Sequence, residues 1–487
     1  MTALEGTGAA GGTGHNNQLR RNSLGVAAIV FFVISAAAPL TAVAGGVPIG
    51  FLLGNGAGMP LSFIIVMAML LIFAVGYLAM ARYVKNAGAF YSFAAQAFGG
   101  VAGGSAALVA LLSYNAMLVG VMGLLGAATA GFFAPLGLDL PWWVWSLVGI
   151  AATGFLGYRH VEVSARVLTL LVLAEFAVVL IIDLAIVFTG GDSGLNMRPF
   201  TSEQFFTGAP AIGLLFCFAC SLGFEATTIY SEEAREPERT IPRAAYLSIL
   251  IIGIFYAFTS WCMVMGSGVD KLLPEVGALK DPTTYLFNLA DRYVGHGIST
   301  VMGLLFISSL FACVQAFHNS IARYFYVAGR ERLLPASLGV THQRFHSPYV
   351  GSIVQTVISL LVVGYFAVAG LDPVLNLFAW LTNLATLGIL VLMCATSMAV
   401  IAYFSKAKTG NSILVTLVFP VLAVISYAVV IYQIVVNFGM LAGTDGTLAW
   451  LLPSLIVVAG IVGVVLALRL KSKDITRYKN MGREAVV

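Results

Sequence analysis

The sequence predicts an all-α polytopic membrane protein of about twelve transmembrane helices, and three observations carry that prediction. The chain of 487 residues is 60% hydrophobic and only 9% charged, with a mean hydropathy of +0.96, so its apolar segments must face lipid as well as one another. Those segments divide into twelve runs, at 24-53, 59-84, 101-133, 141-158, 166-189, 205-231, 243-265, 297-327, 349-369, 374-404, 413-438 and 447-470, each near the ~20 residues that cross the hydrocarbon as a helix. An even count puts both termini on one side. With the termini inside, 21 of the 25 lysines and arginines face inward and only Arg198, Lys271, Lys280 and Arg292 face outward, a bias that sets cytoplasmic termini.

Residues 1-23 open the chain as a Gly-, Ala-, Thr- and Asn-rich tail, with too few apolar side chains to offset the entropy of ordering. Arg20 and Arg21 precede an apolar run too long for a signal h-region, so it is read as an uncleaved first helix. That first span contains SAAAPLTAVAGGVP, with Pro39, Gly45, Gly46 and Pro48 where a straight helix would continue. Proline removes a backbone donor and clashes with the preceding turn, so a break is expected at 37–41. The fifth span carries two acids, Glu175 and Asp183. Eight residues place them about 80° apart round an ideal helix, with Asp183 nearer the outer surface and expected to be wetted. An acid at the depth of Glu175 can take up a proton as it is desolvated, or hold a cation directly.

The sixth span reads FCFACSLGFEA and exits through TTIYSEEAREPERTIPRA. A glycine and a carboxylate, Glu225, at mid-depth are of no use to a straight spanning helix, since the acid alone costs roughly 3 kcal/mol there. In the exit, acids and bases lie three or four apart, as on a salt-bridged solvent face, and Pro237 and Pro242 are expected to interrupt any long helix. The eighth span brings Ser308, Ser309, Gln315 and His318, the histidine expected to be satisfied by a neighbouring backbone group. The five cysteines all fall within spans, which predicts free thiols. Cys217 and Cys220 form a CxxC with no second ligand pair to complete a metal site. Two further spans, 413-470, and a basic tail, 471-487, close the chain.

Two interrupted spans five helices apart are the sequence pointer to an inverted-repeat transporter, with a site between the breaks at the bilayer midplane. There the N-terminal end of a half-helix suits a carboxylate, while unwound carbonyls and C-terminal ends suit an ammonium group or a cation. An amino acid presents both charges and a small amine only the second, so the breaks alone leave both open.

Four motifs carry a resemblance: NAGAFYSF at 86–93, GFEA followed by SEEAREPERTIPRA at 223–244, ARYFYVAGRERLLP at 322–335 and HSPY at 346–349. The chain resembles the amino acid-polyamine-organocation superfamily of permeases, which have the LeuT-type fold. The resemblance implies secondary active uptake by a core at 24-404, made of 5+5 inverted repeats (about 24-189 and 205-404) with helices 1 and 6 broken, and two additional helices outside it. It places substrate against Ala36, Ala37, Ala38, Pro39, Leu40 and Thr41 of the first break and Ala219, Cys220, Ser221, Leu222 and Gly223 of the sixth, with Phe216, Phe218 or Phe224 as a lid. Many members have Gly-x-Gly where this chain has AAAPLT, and aromatic side chains in place of Ala219 and Ser221, so the pocket is expected to be roomier or differently lined. Glu175 falls where proton-coupled members often carry a lysine in place of a bound sodium ion. Glu225 matches an acid expected to tether neighbouring helices and sense protonation during gating.

No HExxH, P-loop, GxSxG or metal-spaced His/Cys cluster is present, so enzyme chemistry has no residues to carry it. The expectation is a multi-pass permease of the cytoplasmic (plasma) membrane, without cofactor, metal or nucleic-acid partner, importing an amino acid with protons by alternating access. Sodium coupling, through Ser308 and Ser309, stays open. So do an amine or polyamine substrate, exchange, and a transporter-derived sensor.

Overall fold

The architecture follows from where the long apolar helices are uninterrupted and where they are not. It is described by a computed structural model covering residues 25–84, 90–159, 165–225, 227–228, 234–345, 347–407, 410–442 and 446–482. The residues 86–89 of the first motif, Glu232 and Glu233 of the exit, His346, and the tail 1–24 lie outside the described residues.

Nine described helices are long and apolar enough to cross a membrane. The other three spans are made otherwise. The first is two half-helices, α1 (Val26–Ala37) and α2 (Thr41–Leu53). It is followed by α3 (Met59–Ala81), the short α4 (Phe90–Phe98), α5 (Gly100–Phe133), the fourth span α6 (Trp142–Arg159) and α7 (Ala165–Thr189). The sixth span is the half-helix α8 (Pro210–Ser221). Then come α9 (Pro237–Ser267), α10 (His296–Arg330), α11 (Tyr349–Val368), α12 (Pro373–Lys406), α13 (Phe419–Ala442) and α14 (Thr447–Lys473). This is a polytopic helical membrane protein, as the composition requires.

The 34-residue α5 is the hub and packs against α4, α6, α10, α12 and α14. It extends about 50 Å at 1.5 Å per residue, more than the hydrocarbon is thick. The two half-helix spans sit inside this frame: α8 packs on α2, α3, α12 and α13, and α1 on α7, α9 and α10. Residues 41–53 show the consequence, for none is exposed.

One expectation fails at the basic end of the bundle. Pro237 and Pro242 do not interrupt a helix, because Pro237 opens α9 at its first turn and Pro242 is carried within it. Pro237 at the first helical position gives up no intrahelical bond, whereas Pro242 forgoes the bond to the Glu238 carbonyl and the helix continues past it. The basic tail after α14 is described as far as residue 482. It forms a further turn of helix, Ile475–Asn480, and folds back on the bundle. Tyr478 lies on Gly100 at the start of α5, and Met481 is buried. Gln96 donates to the Gly482 carbonyl (3.2 Å), and the Gly482 N–H donates to Glu331 Oε1 (3.4 Å).

Candidate functional site

At the first break α1 ends on Ala37, and Ala38 turns into the left-handed region (φ 46°) while its N–H still reaches the Ile34 carbonyl at 3.0 Å. Pro39 has no N–H to give. The next amide, Leu40, donates out of the helix to Glu175 Oε2 at 3.2 Å. The Ser309 hydroxyl of α10 donates to the same oxygen at 2.8 Å, and the Thr41 hydroxyl donates to Ser309 at 3.1 Å. Glu175 is 3% exposed. A carboxyl in the middle of α7 therefore sits at the N-terminal end of α2, where freed N–H groups and the helix dipole favour negative charge.

The second break repeats the device. After Ser221, Leu222 is extended and Gly223 takes φ 123°, which a side chain would strain. The freed Gly223 N–H donates to Glu225 Oε2 at 2.8 Å, and the Tyr114 hydroxyl of α5 reaches the same carboxyl. Tyr77 of α3 holds the turn through the Glu225 carbonyl (3.2 Å) and Thr228 (2.7 Å). Each interruption thus has one buried carboxyl bound to an amide that the interruption releases.

Between the breaks lies a cavity of about 40 Å³, room for a few waters. Of the residues expected to touch substrate, Ala37, Thr41, Phe216, Ala219, Cys220 and Leu222 line it. Ala38, Pro39, Leu40, Ser221 and Gly223 are not in its wall, and the Ala36 side chain lies outside the described residues. Neither carboxyl faces the cavity directly. Thr41 connects it to Glu175 through Ser309.

The rest of the wall was not anticipated. Ala42 and Gly46 of α2 line it, with three pairs one helical turn apart: Met117 and Val121 on α5, Cys313 and Phe317 on α10, Phe378 and Thr382 on α12. An i, i+4 apolar pair looks the same in sequence whether it faces a cavity, lipid or a neighbouring helix. The cavity is narrower than the small residues of the breaks suggested, because α2 and α8 close on each other. A Cβ added to Gly46 would lie 2.8 Å from Cys220 Sγ. Phe218 and Phe224 do not line this cavity, and their rings pack on Tyr427 and Phe73.

Other polar residues fall outside this centre. Ser308 back-bonds to the Leu305 carbonyl (2.8 Å). His318 Nε2 pairs with the Ser352 hydroxyl of α11 at 2.8 Å, a side-chain rather than backbone partner. Asp183 is not wetted: its rotation round α7 turns it into the seam with α9, where it has no exposure and accepts from the Thr259 hydroxyl at 2.6 Å. The cysteines are free, and no described group of three His, Cys, Asp or Glu residues could hold a metal ion.

Known proteins resemble the chain over most of its length. It is 26% identical over 368 residues to the low-affinity putrescine importer PlaP of Escherichia coli, covering 73% of this chain and 75% of the relative. It is also 26% identical over 409 residues to the branched-chain amino acid permease BcaP of Bacillus subtilis, covering 79% of each. A solved manganese transporter of Eremococcus coleocola, in complex with an aromatic bis-isothiourea substituted compound, superposes over 96% of this chain and 99% of its own, with a TM-score of 0.58 and 12% identity. That likeness establishes the fold, the LeuT-type arrangement that the motifs imply. The amino acid permease family model matches residues 26–476, and the chain belongs to that family of membrane transporters.

Proposed function

We propose that the protein imports an amino acid across the plasma membrane by proton symport, with both termini in the cytoplasm and spans one to five and six to ten as its two repeats. The observation that carries this reading is the hydrogen-bonded line from the cavity wall to a buried carboxyl: Thr41 to Ser309 to Glu175, with the Leu40 amide on the same carboxyl oxygen. A substrate carboxylate at the N-terminal end of α2 would compete with Glu175 for that positive end, so protonation of Glu175 favours substrate binding. The substrate ammonium is placed at the C-terminal end of α8, where unwound carbonyls face it.

The relatives include a putrescine importer and a branched-chain amino acid permease. The cavity favours the second kind of cargo. A diamine needs an acceptor set at each end, whereas this wall holds no ionisable carboxyl and is mostly apolar, as a neutral side chain requires.

The test is uptake into proteoliposomes of labelled amino acids and small amines, under an inward proton gradient, an inward sodium gradient, or neither. The expected result is accumulation of neutral amino acids that needs the proton gradient and is abolished in Glu175→Gln while binding persists. Binding without gradient-driven accumulation of any compound would reject symport and leave exchange or sensing. Accumulation of diamines alone would reject the amino acid.

A further inference from the structure

Asp183 is a buried acid in the membrane that the cavity and its two breaks leave unused. It lies on α7 eight residues from Glu175, about 12 Å further along the same helix. It has no exposure, and Oδ2 accepts from Thr259 at 2.6 Å. Oδ1 has no hydrogen-bond partner, with only the weakly donating Cys262 thiol beside the carboxyl. A carboxylate buried without a countercharge is strongly disfavoured, whereas a neutral acid needs only its hydrogen bonds.

Among the described residues, no charge on the neighbouring elements compensates it. α9 faces it with Thr259 and Cys262, and Tyr256 lies a turn below with its hydroxyl on the Ala37 carbonyl at the first break (3.5 Å). The segment Tyr285–Tyr293, which also packs on α7, carries Arg292 paired with Glu275, and Asp291, bonded to Ser299 and His296. Tyr285 is engaged by Ser267 and Tyr293 by the Gly266 carbonyl. On α10 the facing polar groups, Ser309 and Cys313, lie at the level of Glu175. α1 brings only apolar side chains and Ser35.

We propose that Asp183 is a second proton-binding carboxyl of the transport cycle, which must be protonated for the α7–α9 seam to close. One proton is taken from water by the carboxylate as the seam closes and is returned to water as it opens, with no bond other than O–H formed or broken. The proposal rests on the proton-symport reading and extends it from one carboxyl to two on one helix. Tyr256 joins the two levels, since its hydroxyl bonds the break that Glu175 occupies. Closing the seam on a neutral acid would therefore be felt at the substrate site.

The experiment compares wild type, Asp183→Asn and Thr259→Val in proteoliposomes, reading proton-driven accumulation of a neutral amino acid, labelled-for-unlabelled exchange, and proton uptake with a trapped pH dye. Asparagine keeps an acceptor for Thr259 and cannot titrate. Asp183→Asn is expected to lose about tenfold or more of proton-driven accumulation and flatten its pH dependence, with exchange kept near wild type. Thr259→Val, which retains the acid, is expected to keep proton-driven accumulation and displace its pH profile. If Asp183→Asn keeps wild-type accumulation, proton uptake and pH profile, Asp183 is a structural clamp and the proposal is overturned. A loss of exchange to the same extent as accumulation would overturn it too. Wild-type accumulation without proton uptake would instead reject the symport reading beneath it.

Discussion

Gly46 and Cys220 show how little tolerance the cavity has. Their helices approach so closely that an added methyl would stand 2.8 Å from the sulfur, and overpacking of this kind costs about 1–3 kcal/mol. Gly46→Ala is expected to raise KM for the transported substrate about tenfold, at 1.4 kcal/mol per decade. Because the clash is with one atom, Gly46→Ala combined with Cys220→Ala should recover most of the loss, a coupling that a double-mutant cycle on initial uptake rates measures. An unchanged KM in Gly46→Ala would mean that α2 and α8 stand further apart in the transporting protein. Ala38 is held under tension of another kind, a left-handed conformation that costs an alanine about 1–2 kcal/mol. The bonds converging on Leu40, Glu175, Ser309 and Thr41 hold the chain in that turn.

The docked C-terminal element joins three parts of the basic end: α4, the start of α5 and the residue that follows α10. Its anchor, Glu331, is a carboxyl held above the usual carboxylate range by burial, against the opposing pull of the Tyr91 hydroxyl. A raised acid favours the docked state while it is protonated. The contribution is therefore complete below the ordinary glutamate value and is lost as pH rises through the raised one. Protection of the amides at 474–482, taken relative to their intrinsic exchange rate at each pH, should accordingly be greater at acidic than at alkaline pH, and Glu331→Gln should remove that difference. Protection independent of pH in the wild type would show that Tyr478 and Met481 hold the element without help from Glu331.

For the molecule as a whole, two half-helix spans framed by long continuous ones supply a rigid shell and a discontinuous centre. Alternating access requires the cavity to open to one side at a time. Cys220 lines that cavity, whereas Cys217, one turn back, points to Met59. In a variant retaining Cys220 as its sole cysteine, an impermeant thiol reagent should inactivate transport, and substrate should slow the reaction. A Cys217-only variant should resist. Conditions that raise Cys220 labelling from one side should lower it from the other, and simultaneous reactivity from both sides would indicate a channel.

Composition and periodic apolar runs were enough to determine the membrane class, the twelve spans and the place of both breaks, because hydrophobic length and the missing donor of Pro39 act locally along the chain. Glu175 and Glu225 stood out for the same local reason, as acids where the surrounding chain is apolar. Which amide each acid holds, the three i, i+4 pairs that complete the cavity, the enclosure of Asp183 and the return of the tail to Glu331 were decided only by tertiary structure. Each depends on the rotation of one helix against another, and an apolar helix able to face lipid, cavity or neighbour leaves that rotation unwritten in its own sequence.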